Sequence, residues 1–207
     1  MKECTIFCAG GFSGLIQPIA PGSTVIAADG GLRHTQALGL RPDIILGDFD
    51  SLGHIPDGAQ VFPVEKDDTD SMLAIKQGLS MGCRRFTLYG ALDGHRVDHT
   101  MANFQALHYL CDRGAKGYLI GKNQIVCALQ DGAMEFPAHF TGYLSVFCLG
   151  ADAKGVTLRG VKYQTDRATL TAGFPLGVSN QFTGQAATVS VEKGTLLLIW
   201  DRENGVV

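Results

Sequence analysis

A chain of 207 residues, 45% hydrophobic and 18% charged, can bury a full core and is not of disordered composition. A formal net charge of -3 without any basic run or stripe argues against nucleic acid as a partner, and no apolar stretch is long enough to span a bilayer. Met1-Lys2-Glu3-Cys4 leads into a strand-length run without a signal-peptide apolar region, and the six cysteines offer no C-x-x-C pair, so a cytoplasmic protein with reduced, mostly buried thiols is expected.

Continuous apolar runs at 5–9, 24–28, 43–46, 60–64, 86–89 and 117–120 predict buried strands. Helical periodicity falls between them at 32–38, 70–81 and 97–111. In the last of these, Val97, Met101, Phe104, Leu107 and Leu110 give one apolar face. Such strand–helix alternation predicts a mainly parallel sheet covered on both sides. From about residue 123 the texture changes to short runs at 125–129, 143–148, 156–158, 187–191 and 195–200. These are separated by Asp131-Gly132, Gly150, Gly160, Gly177, Gly184 and Lys193-Gly194, the pattern of an antiparallel sandwich or barrel. The expected fold class is therefore an α/β N-terminal domain with a mainly parallel sheet, residues 1–123, followed by an all-β C-terminal sandwich, residues 124–207.

Three acid clusters follow predicted strands. Gly47-Asp48-Phe49-Asp50-Ser51 closes the run Ile44-Ile45-Leu46, Asp67-Asp68-Thr69-Asp70 follows 60–64, and Asp93 with Asp98 follows 86–89. In open α/β sheets the ligand crevice lies outside the carboxyl ends of the strands. Carboxylates there suit Mg²⁺, which is commonly held by one or two carboxylates together with substrate phosphates. Asp48 and Asp50, two apart on extended chain, point to one side. Asp67 or Asp68 is well placed to cap the helix that follows, which accounts for one acid of its cluster and not for three. Asp70 in the first turn can complete a metal shell or accept a proton from a substrate hydroxyl.

Arg96 and Asp98 stand at the start of the helix 97–111, where backbone N–H groups favour phosphate and an Arg fork grips it in bidentate fashion. His99 and Asn103 share a helix face four residues apart. The glycines of Ala28-Asp29-Gly30-Gly31 allow close backbone approach to a ligand. Neither a G-x-x-x-x-G-K-[ST] loop nor a G-x-G-x-x-G after the first strand occurs; Gly10-Gly11-Phe12-Ser13-Gly14 has the wrong spacing. Metal and side chains are therefore expected to hold the phosphates.

Taken in order, Ala28-Asp29-Gly30-Gly31, Gly47-Asp48-Phe49-Asp50-Ser51, Asp67-Asp68-Thr69-Asp70 and the segment from Gly94 to Asn103 resemble thiamine pyrophosphokinase. Gly160-Val161-Lys162-Tyr163 and Gly177-Val178-Ser179-Asn180 look like that family's C-terminal signatures. The resemblance implies transfer of the diphosphate of ATP to the hydroxyl of thiamine, with Mg²⁺ as cofactor and AMP released. It implies a homodimer with active sites between subunits. Carried over, Asp48, Asp50 and Asp70 are the metal and catalytic acids, with Arg96 as a second phosphate clamp. Asp29, Arg96, Asp98, His99 and Asn103 contact nucleotide or substrate, and Ser179 with Asn180 lines the thiamine pocket. Three positions depart from the family's usual residues: His95, Gln164 and Gln181.

Two other readings compete. A phosphohydrolase would use Asp48 or Asp50 as nucleophile in a D-x-D arrangement, although that motif belongs after a first strand and here follows the third. A non-enzymatic, nucleotide-sensing dimer would bind the same metal and ligand without turnover.

Overall fold

Every residue of the chain except Ser51 and Lys66 is described in the computed structural model. Ser51, the last residue of the first acid motif, thus lies outside the described residues. The elements in chain order are β1 (Glu3–Phe7), β2 (Thr24–Ala28), α1 (Leu32–Ala37), β3 (Ile44–Gly47), β4 (Gln60–Val61), α2 (Asp70–Ser80), β5 (Arg85–Tyr89), α3 (Val97–Cys111) and β6 (Lys116–Ile120). They continue with β7 (Gln124–Gln130), β8 (Ala133–Phe136), β9 (Tyr143–Cys148), β10 (Ala153–Arg159), β11 (Thr165–Leu170), β12 (Gly177–Gln181), β13 (Ala187–Ser190) and β14 (Thr195–Asp201). The result is a mixed, sheet-rich fold with few helices.

Ten strands form one sheet in the order β12-β9-β14-β7-β6-β5-β1-β2-β3-β4. The block from β6 to β4 pairs entirely in parallel. At the turn after β6 the chain reverses, and β7 pairs antiparallel with β6 through Ile120↔Ile125. From there β14, β9 and β12 continue the sheet in antiparallel fashion. One sheet therefore runs through residue 123, where the sequence texture changes. A second sheet, β11-β10-β13-β8, is antiparallel throughout.

Period-two alternation divides the strand side chains between two cores. Ile6, Ile26, Leu46, Phe86, Leu88 and Leu119 share one core with Ile75 of α2 and with Leu107 and Leu110 of α3. Phe7, Val25, Tyr89, Tyr118 and Ile120 point the other way and meet Phe12, Leu15, Ile16 and Ile19 from the loop after β1. That second core continues between the two sheets, where Leu144, Leu198 and Trp200 pack with Phe136, Val156, Leu158 and Val189. Trp200 is fully buried, and its indole N–H donates to Gly205 O at 2.8 Å, which satisfies the one polar atom it brings inside.

Several expectations are corrected. The run 60–64 is not a buried strand: β4 is two exposed residues at the sheet edge, and Pro63 lacks the N–H that a longer ladder needs. In α3 the expected apolar face is only half buried. Leu107 and Leu110 are interior, but Val97 and Met101 are 73% and 55% exposed. Strands β8, β11 and β12 were not expected at all. Neither Asp67 nor Asp68 caps α2; Thr69 does, its hydroxyl accepting from Met72 N at 3.2 Å. Asp68 instead takes Lys76 Nζ at 2.7 Å, and Asp67 lies outside the helix, exposed.

Candidate active site

Strand order reverses between β1 and β5: β2, β3 and β4 extend the parallel block on one side of β1, and β5 and β6 on the other. A crevice is expected at the carboxyl ends of strands at such a switch point. A cleft of about 930 Å³ opens there, lined by the ends of β1, β2, β3 and β5 and by the first turns of α2 and α3.

Register brings the acids together. Ala28 pairs with Leu46, so Asp29 and Asp48 leave neighbouring strands close to the same level. Gly47 stands between them with φ 148°, and a Cβ there would lie 3.0 Å from Asp29 Cα; glycine permits this approach. Asp29 opens a 3-10 turn, Asp29–Gly31, with φ 47°. Phe49, at φ 59°, buries its ring and turns the chain between the two acids that flank it. One carboxylate oxygen from each of Asp29, Asp48 and Asp50 lies within 4.8 Å of the others. Asp29 is buried, Asp48 half-buried and Asp50 exposed. Asp70 lines the same cleft from α2 but is not in this close group. Burial, and secondarily the Asp70 charge, pushes the Cys8 thiol in the cleft floor up to about 12.

The opposite wall comes from the segment after β5. A Cβ on Gly10 would stand 2.5 Å from Gly90 O, and the bare backbones instead join: Gly10 N donates to Gly90 O and Gly11 N to Asp93 O, each at 2.9 Å. These glycine amides are thereby committed within the wall. Arg96, His99 and Asn103 line the cleft. Asp98 does not; it sits exposed beside Arg96, whose Nη2 donates to Asp98 Oδ2 at 2.5 Å. That hydrogen bond holds the Asp98 carboxyl below its usual range and raises the Arg96 guanidinium.

Asn103 is buried and its amide is used internally, accepting from Ser71 Oγ at 2.8 Å and donating to Ala91 O at 2.7 Å. Thr69, Ser71, Asp93 and the backbone of Gly10-Gly11 also line the cleft. Of these, only the strand-end glycines and Asp93 carried a signal in the sequence, from their place after an apolar run.

Ser179 and Asn180 are elsewhere, on the outer strand β12. Ser179 is exposed, at φ 58°, and its N–H donates to Ser145 Oγ. Asn180 is buried. Its Oδ1 accepts from Tyr163 N at 2.9 Å and its Nδ2 donates to Tyr163 O at 2.7 Å, so it clamps that residue by the backbone. The Tyr163 ring stands 60% exposed with Lys162 Nζ 5.3 Å from its centroid. Lys162 also donates to Gln181 Oε1 at 3.2 Å. The segments 160–163 and 177–181 thus form one local structure. Among the described residues, no helix is long and apolar enough to cross a membrane.

Comparison with known proteins gives a consistent answer. Residues 18–119 match the family model for the catalytic domain of thiamin pyrophosphokinase, and residues 128–196 match that for its vitamin B1 binding domain. A thiamine pyrophosphokinase of Bacillus subtilis (strain 168) is 28% identical over 183 residues, covering 84% of this chain and 85% of that protein. The crystal structure of a Bacillus subtilis thiamine pyrophosphokinase superposes with a TM-score of 0.83 at 25% identity, covering 97% of this chain and 99% of the other. A thiamin pyrophosphokinase from Candida albicans shares the fold at 15% identity, with a TM-score of 0.75 over 97% of this chain and 88% of its own.

Proposed function

The chain belongs to the thiamin pyrophosphokinase family, and on that premise we propose how its residues transfer the diphosphate of ATP to the hydroxyl of thiamine, giving thiamine diphosphate and AMP. The observation that carries the reading is the convergence of Asp29, Asp48 and Asp50 in a cleft that Asp70 and Arg96 also line.

The donor set suits Mg²⁺. Three carboxylate oxygens within 4.8 Å of one another are hard ligands, and like charges so close favour a cation between them. Asp29, Asp48 and Asp50 would hold it; when bound, it neutralises phosphate charge. Asp29 thus joins the metal acids, and Asp70, at the start of α2, is the group that orients the substrate hydroxyl and takes its proton. Such transfer depends on positioning and charge neutralisation more than on covalent chemistry. The attacking hydroxyl oxygen forms its bond to the β-phosphorus as the bond to the AMP oxygen breaks. Arg96 turns from Asp98 to the phosphates as a second clamp, with His99, which also lines the cleft, beside the nucleotide.

We assign residues 1–123 to the ATP and Mg²⁺ half, and 124–207, with Ser179 and the Tyr163 that Asn180 holds, to thiamine. The active assembly is a homodimer with each site shared between subunits. Tyr143, Tyr163, Phe174, Leu176 and Val178 support this, since all expose half or more of their surface on or beside β12. The six free thiols suit the reducing cytoplasm. The hydrolase and sensor readings are not favoured by the family match.

Purified protein given ATP, Mg²⁺ and thiamine should form AMP and thiamine diphosphate in equal amounts. AMP release independent of thiamine would overturn the reading.

A further inference from the structure

Beneath the cleft, hydrogen bonds run in one direction between the two motif-bearing helices. Met72 N donates to Thr69 Oγ1 at 3.2 Å, and Ser71 Oγ donates to Asn103 Oδ1 at 2.8 Å. Ser71 spends its only proton there, so in the 3.0 Å contact between the Thr69 and Ser71 hydroxyls Thr69 is the donor. Asn103 Nδ2 ends the chain on Ala91 O at 2.7 Å. Ser71 and Asn103 are both more than nine-tenths buried. A buried chain with donors and acceptors so matched stiffens what it joins. It joins the turn carrying Asp70, which lies between Thr69 and Ser71, to the segment after β5 that leads to Arg96.

We propose that Ser71 and Asn103 are positioning residues for the transfer, fixing Asp70 against the wall that carries Arg96 without touching nucleotide or thiamine. This rests on the catalytic reading of Asp70 given above. Asn103 shares a helix face with His99, and the family resemblance of the segment from Gly94 to Asn103 implies that it contacts ligand. Its amide is already committed to the protein, with Oδ1 on Ser71 and Nδ2 on Ala91.

The test compares Ser71→Ala, Ser71→Thr, Asn103→Asp and Asp70→Asn by kcat, KM for ATP and melting temperature. Asn103→Asp still accepts from Ser71 but sets a carboxylate against Ala91 O. Ser71→Ala and Asn103→Asp should lower kcat on the order of tenfold or more, since small displacements of reacting groups are costly, with KM for ATP within about twofold. Ser71→Thr, which keeps the hydroxyl, should recover most of the rate. A raised KM for ATP with unchanged kcat would mean direct ligand contact and overturn the proposal. A lower melting temperature with unchanged kcat would mean a purely structural role and overturn it too. If Ser71→Ala does not fold, the same criteria apply to Ser71→Cys, nearly isosteric but a weak donor, which should fall between serine and alanine in kcat. Asp70→Asn separates the two layers: loss of turnover there with wild-type kcat in the Ser71 and Asn103 variants defeats positioning alone. Wild-type turnover in Asp70→Asn leaves nothing to position and defeats both.

Discussion

Asp48 follows β3 and Ser179 lies within β12, and seven strands of the same sheet stand between those two strands. At ~4.8 Å between neighbouring strands the two residues are on the order of 40 Å apart along the sheet, several times the reach of one thiamine molecule. For acids and thiamine signatures to meet at one substrate, the proposed assembly draws them from different chains. A two-fold dimer meets that demand with two equivalent sites. Mixing Asp48→Asn protein with Tyr163→Ala protein, each inactive alone, should restore part of the activity, because one site in each heterodimer is intact. Tyr163 is the better partner variant than Ser179, since a bulky residue at the φ of 58° found there would be strained. Heterodimers that are shown to form and remain inactive would contradict the shared site.

Replacing Asp48 or Asp50 by Asn should reduce turnover on the order of 10²-fold or more while leaving the fold intact, because neither side chain belongs to a hydrophobic core. Mg²⁺ should raise the melting temperature of the wild-type protein and have little effect on the Asp48→Asn protein, since only the folded acid group binds it. Equal Mg²⁺ stabilisation of both would place the metal elsewhere.

The second acid cluster divides by role. Thr69→Ala should cost about 1 kcal/mol of stability, the usual worth of an N-cap, and Asp67→Asn nothing measurable. Asp70→Asn should lower kcat on the order of 10²-fold. Thermal melts and kinetics on the three proteins distinguish these outcomes, and a stability loss at Asp67 matching that at Thr69 would contradict the capping assignment.

Most strands with a hydrophobic side to bury were legible in the sequence, and so was α3 at its residues Val97–Cys111. The four-residue β8, which buries Met134 and Phe136, was too short to stand out, and the other missed strands lack that signal. β11 and β12, Thr-Asp-Arg-Ala-Thr-Leu and Gly-Val-Ser-Asn-Gln, are largely polar and exposed, and hydrogen bonding to β10 and β9 makes them strands. Val97 and Met101 fit a helical stripe, but the N-terminal end of α3 borders the cleft, so periodicity overstated burial there. At the site, Asp48, Asp50 and Asp70 stood out as acids after apolar runs. The approach of Asp29 to Asp48 depends on β2 lying beside β3 and on the register Ala28↔Leu46, neither of which is written in local sequence. Asn103 was legible as a candidate, but its bonds to Ser71 and Ala91 O were not, because only the fold brings those groups to its amide.

The buried thiols make an alkaline prediction. Burial pushes Cys8 and Cys127 up to about 12 and Cys111 to about 11, from an ordinary value of 9.0. Above 9 the unfolded chain loses thiol protons that the folded chain keeps. The stability they contribute is therefore complete below about 9 and is lost as pH rises toward 11 to 12. The melting temperature of the wild-type protein should fall more steeply between pH 9 and 11 than that of Cys127→Ala, and parallel curves would contradict this assignment.

The most direct measurement follows the phosphates of ATP. With wild-type protein, Mg²⁺ and thiamine, label on the α-phosphorus should appear in AMP and label on the γ-phosphorus in thiamine diphosphate, neither moving without thiamine. Label on the α-phosphorus in ADP, or label on the γ-phosphorus released as inorganic phosphate whether or not thiamine is present, would contradict diphosphate transfer at this site.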